Sequence, residues 1–120
     1  MWVFAKEGFV SIVKDPKIRG RLIVRARAQA DINAFHELCI EAGGANPIHV
    51  DVGTDYKYRF TSPQYAVAKV MNHLAFSIDY LNFKEAAIPV ENKDASTTRR
   101  CNAYMQIWAI MKDFQDVTGS

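Results

Sequence analysis

The alternation of apolar and charged positions from Arg21 to Ala28 predicts a central β-strand with two different faces. Side chains alternate along a strand with a period of two, so each face takes every second residue. One face carries Leu22, Val24, Ala26 and Ala28, and the other carries Arg21, Ile23, Arg25 and Arg27. We expect the first face to join a core. Arginines two positions apart stand roughly 6.6 to 7 Å apart along a strand, a spacing that suits a bound polyanion.

Further strands are predicted on both sides of this segment. Trp2–Ala5 and Phe9–Val13 are short β-prone runs. The turn residues Lys14–Lys17 allow Phe9–Val13 to pair antiparallel with the central strand. Ile48–Val52 is another short run of this kind. The pattern therefore predicts a small antiparallel β-sheet.

The segment Tyr56–Phe60 alternates strictly, with three aromatic side chains on one face and Lys57 and Arg59 on the other. If the aromatic side chains turn to the core, Lys57 and Arg59 extend the basic row begun by Arg25 and Arg27. The alternative is an ordinary solvated face, since antiparallel sheets often leave one polar face in water.

Two helices are predicted from apolar residues at spacings of three and four. Asp31 is expected to cap the first helix, and Gly43–Gly44 to stop it. Its apolar stripe comprises Ile32, Phe35, Leu38, Cys39 and Ala42. Ser62 as N-cap and Pro63 as first helical residue are expected to start the second helix, which should end near Ser77. Its apolar stripe comprises Val67, Val70, Met71, Leu74 and Ile78.

A third, longer helix is predicted to begin at Ser96 or Thr97, after a loop at Ala86–Ala95. Its apolar band comprises Cys101, Tyr104, Met105, Ile107, Trp108, Ile110, Met111 and Phe114. A band this broad favours burial on two sides, against the sheet and against a partner subunit. We therefore expect an α+β fold in which a small antiparallel sheet packs with three helices, the last one long and placed at a homo-oligomer interface.

The composition predicts a single globular domain over residues 1–120. Hydrophobic residues make up 49% of the chain and charged residues 23%, which is ordinary for such a domain, and the length allows a substantial core. The net charge of +2 is too small for a protein that coats nucleic acid. Any anion site must therefore be local.

The cysteines and the N-terminus favour a cytoplasmic protein. Cys39 and Cys101 lie within apolar helical patterns, which favours two buried free thiols over a disulfide or a reactive nucleophile. The N-terminal residues lack the pattern of an export signal, and no apolar run is long enough to cross a membrane.

No catalytic or cofactor motif stands out in the sequence. His36, His49 and His73 have no second ligand at metal spacing, so we expect no structural metal. A Gly-rich phosphate loop and a nucleophile elbow are both missing, and no two carboxylates are paired as a general acid and base require. The sequence therefore favours a binding protein, without a cofactor, over an enzyme.

Two further segments have residues suited to a ligand. Tyr80 and Phe83 could stack on a planar ligand, or they could simply pin their segment to the core. Arg99 and Arg100 are expected in the first turn of the last helix, where the helix dipole disfavours cations and a bound anion would relieve them. The alternative is two solvated arginines.

Several segments together resemble one family of small bacterial and phage proteins. They are Trp2–Phe4 with Gly8–Phe9, Val24–Ala28, Asp55–Arg59, Asp79–Lys84 and the helix from Tyr104 to Trp108. In function, the chain resembles the phage anti-Thoeris family, whose members sequester a cyclic ADP-ribose signal and so keep a bacterial defence effector silent. The resemblance covers nearly the full chain.

This resemblance implies an oligomeric, non-enzymatic sponge for cyclic nucleotide signals, with cyclic oligonucleotides as further ligands. It implies that Arg27 contacts a phosphate, Phe83 stacks on adenine and Asn92 hydrogen-bonds a base or ribose edge. The diphosphate would be held by Arg99 or Arg100. A second anion site would use Arg25 and Arg59.

Three other function classes stay open at this point. One is a protein-binding inhibitor of a bacterial defence complex, of the anti-CRISPR type, although such mimics usually present acidic surfaces. Another is a weak nucleic-acid-binding domain that uses the basic sheet face, which would lose affinity steeply with salt. The last is an enzyme that degrades the nucleotide.

Overall fold

A computed structural model describes residues 1–87 and 95–118 of the chain. These residues form two compact units, Met1–Asp79 and Tyr80–Ser120, and each is described here by itself. The expectation of one domain over residues 1–120 stays a prediction.

The first unit is built on a five-stranded antiparallel sheet with the strand order β1-β2-β3-β5-β4. The strands are β1 (Trp2–Ala5), β2 (Gly8–Lys14), β3 (Arg21–Ala26), β4 (His49–Val50) and β5 (Tyr58–Pro63). Strand β3 lies between β2 and β5, so the predicted central strand is confirmed, although it ends at Ala26. The α+β class with an antiparallel sheet is also confirmed.

Helices α1 (Gln29–Ala42) and α2 (Gln64–Phe76) complete the first unit. They pack on one face of the sheet, and the residues that meet there are Val10, Ile12, Val24, Ala26, Ile32, Phe35, Cys39, Phe60, Val67 and Val70. The predicted stripes of both helices are confirmed up to Leu74. Ile78 lies beyond the end of α2 and is 57% exposed, so its place in the second stripe was wrong.

The start of α1 differs from the expected cap. The helix begins at Gln29, and Ala28 at the N-cap has no side chain that could cap it. Asp31 instead lies buried in the first turn and accepts a hydrogen bond from the backbone N–H of Phe9, at 3.2 Å. The carboxylate therefore ties α1 to strand β2. Gly8 makes this approach possible, because a Cβ on Gly8 would lie 2.6 Å from the Asp31 carboxyl group.

The start of α2 also differs. Pro63 is the N-cap residue, and Ser62 is a fully buried residue of β5 that donates a hydrogen bond to the carbonyl of Gly44, at 2.8 Å. Sheet pairing extends the strand to Pro63, opposite Arg21, so Ser62 is not available as a cap. The predicted stop at Gly43 is confirmed, where the positive φ of +151° lets its N–H reach the carbonyl of Cys39.

The second unit contains α3 (Phe83–Ala87) and α4 (Ala95–Thr118). Helix α3 includes residues 86 and 87, and α4 begins at Ala95, so the prediction of a loop at these positions was wrong; residues 88–94 of that loop lie outside the described residues. Asn82 accounts for the helix, since its Oδ1 accepts a hydrogen bond from the N–H of Glu85, at 3.4 Å. The long last helix is confirmed, and its role at an oligomer interface stays a prediction.

Both cysteines are free thiols. Cys39 is buried, as predicted, and this burial raises the pKa of its thiol, while a hydrogen bond with Ser62 opposes the shift. Cys101 is only partly buried. None of the helices in the described part of the chain has the length and apolar character needed to span a bilayer.

Candidate anion-binding site

The face of the sheet opposite α1 and α2 carries a row of side chains that crosses every strand. Strand register places Trp2 opposite Ser11, Ser11 opposite Arg25, Arg25 opposite Arg59, and Arg59 opposite His49. Directly paired residues of antiparallel strands share a face. We call this set, Trp2, Ser11, Arg25, Arg59 and His49, the arginine row. Arg59 therefore lies beside Arg25, as expected if its strand joins the sheet with Tyr58 and Phe60 toward the core.

Arg25 is held at two points of its guanidinium group. Its Nη2 donates a hydrogen bond to Oγ of the buried Ser11, at 2.8 Å, and its Cζ lies 4.5 Å from the ring centroid of Tyr56. The Ser11 contact turns the charged group toward strand β2. The Arg25 side chain is therefore preorganised by its surroundings in the first unit.

Arg59 is the direct neighbour of Arg25 on strand β5. Its Nη2 donates to the backbone carbonyl of Tyr56, at 3.3 Å. The Nε atoms of Arg25 and Arg59 are both inaccessible to solvent and have no hydrogen-bond acceptor among the described residues. Buried donors without acceptors are costly, by about 1–3 kcal/mol each in proteins generally.

Tyr56 contacts both Arg25 and Arg59, although the sequence pattern assigned its ring to the core face of a strand. Strand β5 begins at Tyr58, after Tyr56. The carbonyl of Tyr56 accepts hydrogen bonds from the hydroxyl of Thr54, at 2.7 Å, and from Arg59. The residue therefore belongs to the turn before β5, and its ring lies beneath the guanidinium groups of Arg25 and Arg27. Sequence reasoning missed Tyr56 as a site residue.

Lys57 does not join the row as expected. It precedes β5, is exposed, and its Nζ lies 5.4 Å from the ring centroid of Tyr58. Arg27 lies just beyond β3, with its Cζ 4.0 Å from the Tyr56 centroid. Its Nη2 is 3.1 Å from Oδ2 of the exposed Asp55. Exposed ion pairs of this kind contribute little stability, so a ligand phosphate can compete for Arg27.

The charge of the row is uncompensated at its centre. Neither Arg25 nor Arg59 has an ion pair with any described residue, and like charges directly opposite each other are destabilising. Arg21, on the same face of β3, is different, because its Nε lies 2.6 Å from Oδ2 of the buried Asp15. The centre of the row is therefore a candidate site for an anion.

The remaining predicted ligand residues belong to the second unit or lie outside the described residues. Phe83 is the first residue of α3, and its ring centroid is 6.3 Å from that of Tyr80. The Cζ of Arg100 lies 6.0 Å from the Tyr104 ring centroid, and Arg99 is exposed. Asn92 lies outside the described residues.

The expectation that two arginines occupy the first turn of the last helix was wrong. Because α4 begins at Ala95, Arg99 and Arg100 are its fifth and sixth residues. The dipole effect falls off within the first turn, so the argument for an anion at this helix N-terminus is lost.

One cleft is found on the opposite side of the sheet from the arginine row. It lies between α1 and α2, has a volume of about 230 Å³, and contains none of the predicted ligand residues. Its lining consists of Leu38, Glu41, Ala42, Lys69, Val70 and His73. Residues 1–87 and 95–118 include no group of three or more His, Cys, Asp or Glu side chains placed to hold a metal ion.

Comparison with known proteins returns no match: no protein-family model, no curated protein and no solved structure is significantly similar to this chain. The function is therefore argued from the site itself.

Proposed function

We propose that this protein binds a phosphorylated small molecule at the arginine row and releases it unchanged. One observation carries the proposal: Arg25 and Arg59 stand directly opposite each other with no counter-ion and with buried Nε donors lacking acceptors among the described residues. A phosphate that accepts hydrogen bonds from the terminal nitrogens of the two guanidinium groups would cancel the repulsion between them.

The chemistry of arginine suits this ligand. The planar guanidinium group donates two parallel hydrogen bonds to phosphate oxygens, and such charge-assisted bonds are stronger than neutral ones. Tyr56 adds cation–π contacts that hold the Arg25 and Arg27 side chains in place before the ligand arrives. Preorganisation of this kind raises affinity because less side-chain freedom is lost on binding.

Our specific proposal is a cyclic nucleotide signal, with cyclic ADP-ribose isomers as the first ligands to test and cyclic oligonucleotides after them. The resemblance to the anti-Thoeris family supports this choice, and a diphosphate offers one phosphate for each of the two opposed arginines. In this proposal the protein is a homo-oligomeric sponge of phage type in the host cytoplasm. It sequesters the signal by binding alone, so it is not an enzyme.

Calorimetric titration tests the proposal. The panel contains cyclic ADP-ribose isomers, cyclic di- and trinucleotides, and inorganic pyrophosphate as the minimal anion; the complex is then heated and the released compound identified. We expect binding by at least one cyclic nucleotide and recovery of the intact ligand. Absence of binding across the panel overturns the proposal, and recovery of a cleaved product overturns its non-enzymatic part.

Matched variants locate the site. Arg25→Gln and Arg59→Gln each remove charge-assisted bonds worth about 1.5–3 kcal/mol, so we expect affinity to fall by about 10- to 100-fold. Arg21→Gln is the control, because Arg21 lies on the same face of β3 but is paired with Asp15. If all three variants bind equally well, the arginine row is not the site.

A further inference from the structure

The arginine row ends at an aromatic side chain on the edge strand. Trp2 on β1 is the outermost member of the row and is 71% exposed, although it lies on the same face as Arg25 and Arg59. A large exposed aromatic ring in line with uncompensated cations combines the two groups that nucleotide-binding surfaces use. The sequence predictions did not include Trp2 among the ligand residues.

The Trp2 ring is supported by neighbours on the same face. The centroid of the Phe9 ring lies 5.6 Å from that of Trp2, and the Phe4 and Phe9 centroids are 5.4 Å apart in an edge-to-face arrangement. The backbone is fixed as well, because the N–H of Ile12 donates to the carbonyl of Met1, at 2.8 Å. The ring is therefore presented by an anchored strand.

We infer that Trp2 is the base-stacking residue for the nucleotide whose phosphates Arg25 and Arg59 bind. This inference rests on the proposed function and deepens it. Adjacent strands are about 4.8 Å apart, so Trp2 and Arg25 are separated by roughly 9.6 Å across the sheet. The hydrogen bond to Ser11 turns the Arg25 guanidinium toward Trp2 and shortens that span. The span left between the indole ring of Trp2 and the guanidinium group of Arg25 is comparable to that between the base and the 5′-phosphates of one nucleotide.

The row fits one nucleotide better than a nucleic acid strand. A single strand needs a track of cations along its backbone, whereas the row itself offers the two guanidinium groups of Arg25 and Arg59, with Arg27 beside them. The indole ring has the size to cover a purine. The ligand class is therefore a purine nucleotide with a 5′-diphosphate, a group that cyclic ADP-ribose isomers contain.

The test compares ADP with inorganic pyrophosphate on wild-type protein, Trp2→Ala and Trp2→Phe by calorimetry. Base stacking is worth about 1–3 kcal/mol, so wild-type protein should bind ADP about 5- to 150-fold more tightly than pyrophosphate. Trp2→Ala should remove this preference and leave the pyrophosphate affinity unchanged, and Trp2→Phe should keep part of it. Phe76→Ala, at an exposed aromatic side chain at the end of α2, is the control and should behave as wild type.

The outcomes separate this inference from the proposed function. If Trp2→Ala keeps the preference for ADP, or weakens ADP and pyrophosphate equally, Trp2 is not the base-stacking residue, although the anion site stands. If wild-type protein binds neither probe and no cyclic nucleotide, the proposed function fails and this inference fails with it. Oligoadenylate that binds more tightly than ADP, with affinity rising with length, overturns the mononucleotide assignment in favour of single-stranded nucleic acid.

Discussion

The two faces of the sheet come from the same strands but differ in how their groups are satisfied. On the face toward α1 and α2, Val24 and Phe60 are 1% and 2% exposed and pack in the core. At the adjacent position of each strand, Arg25 and Arg59 stand opposite each other without a counter-ion among the described residues. Burial of the first face forms the hydrophobic core that stabilises the fold. The second carries two directly opposed charges, and such a local conflict is typical of a functional site.

The arginine face itself contains an internal comparison. Arg21 and Arg25 lie on the same face of β3, four residues apart. Arg21 pairs with Asp15, whereas the guanidinium group of Arg25 donates to the Ser11 hydroxyl and lies over the Tyr56 ring. In our proposal, this difference assigns a structural role to Arg21 and a ligand-binding role to Arg25.

The largest effect is expected on the core face. Phe60→Ala should lower the free energy of unfolding by about 3–5 kcal/mol, because it removes a fully buried aromatic side chain and leaves a cavity. Urea denaturation measures the loss. Lys57→Ala, an exposed position just before the same strand, should stay within about 0.5 kcal/mol of wild type. A loss below 1 kcal/mol for Phe60→Ala would contradict the assignment of this face to the core.

A smaller loss is expected where α1 meets the sheet. Gly8→Ala places a Cβ 2.6 Å from the Asp31 carboxyl group, so Asp31 must move and give up its bond to the N–H of Phe9. We expect a loss of about 1–3 kcal/mol by urea denaturation. Gly20→Ala is the control, since Gly20 also has a positive φ but has open space around its Cα. Equal losses would show that backbone strain, and not the approach of Asp31, sets the effect.

The ion pair between Arg21 and Asp15 should make the stability of the protein depend on pH. The backbone N–H of Lys17 and then the Arg21 guanidinium hold the pKa of Asp15 below its usual 3.8. A carboxyl group with a depressed folded-state pKa stabilises the protein above about pH 4, and this contribution is lost as pH falls through the folded-state pKa. Asp15→Asn should therefore lower the thermal midpoint at pH 7, and the difference from wild type should shrink below about pH 4. Parallel curves from pH 7 to pH 2 would contradict this.

The smallest change in stability is expected at the uncompensated arginines. Arg25→Gln or Arg59→Gln relieves the repulsion between directly opposed charges, so unfolding free energy without ligand should stay the same or rise by up to about 1 kcal/mol. Thermal unfolding with and without pyrophosphate measures the stability of the free protein and the stabilisation by the anion. In these variants, pyrophosphate should no longer raise the thermal midpoint. Arg21→Gln should lower the stability of the free protein, because it removes the ion pair with Asp15, and pyrophosphate should still raise its thermal midpoint. The double variant Arg25→Gln/Arg59→Gln should gain no more than either single change, because both relieve one repulsion.

Much of the first unit was predictable from local pattern. The period of two in β3, the helical spacing of Ile32, Phe35 and Cys39, and the stop at Gly43 are all local, so they identify elements and their buried faces. Arg59 could be assigned to the face of Arg25 only on the condition that its strand joins the sheet with the opposite face toward the core. Element starts were less predictable, because Asp31 and Ser62 make hydrogen bonds to distant backbone groups instead of capping their own helices.

The sequence by itself determined the core-facing residues of β3, of α1 and of α2 up to Leu74, and that Arg25 faces away from the core. Only the tertiary structure decided that Trp2, Ser11 and Arg59 lie in line with Arg25, and that Tyr56 lies beneath its guanidinium group. The physical reason is that alternation along a strand is local, whereas the register between strands is set by pairing of residues far apart in the chain. The site depends on that register, so its members could not be assembled from periodicity alone.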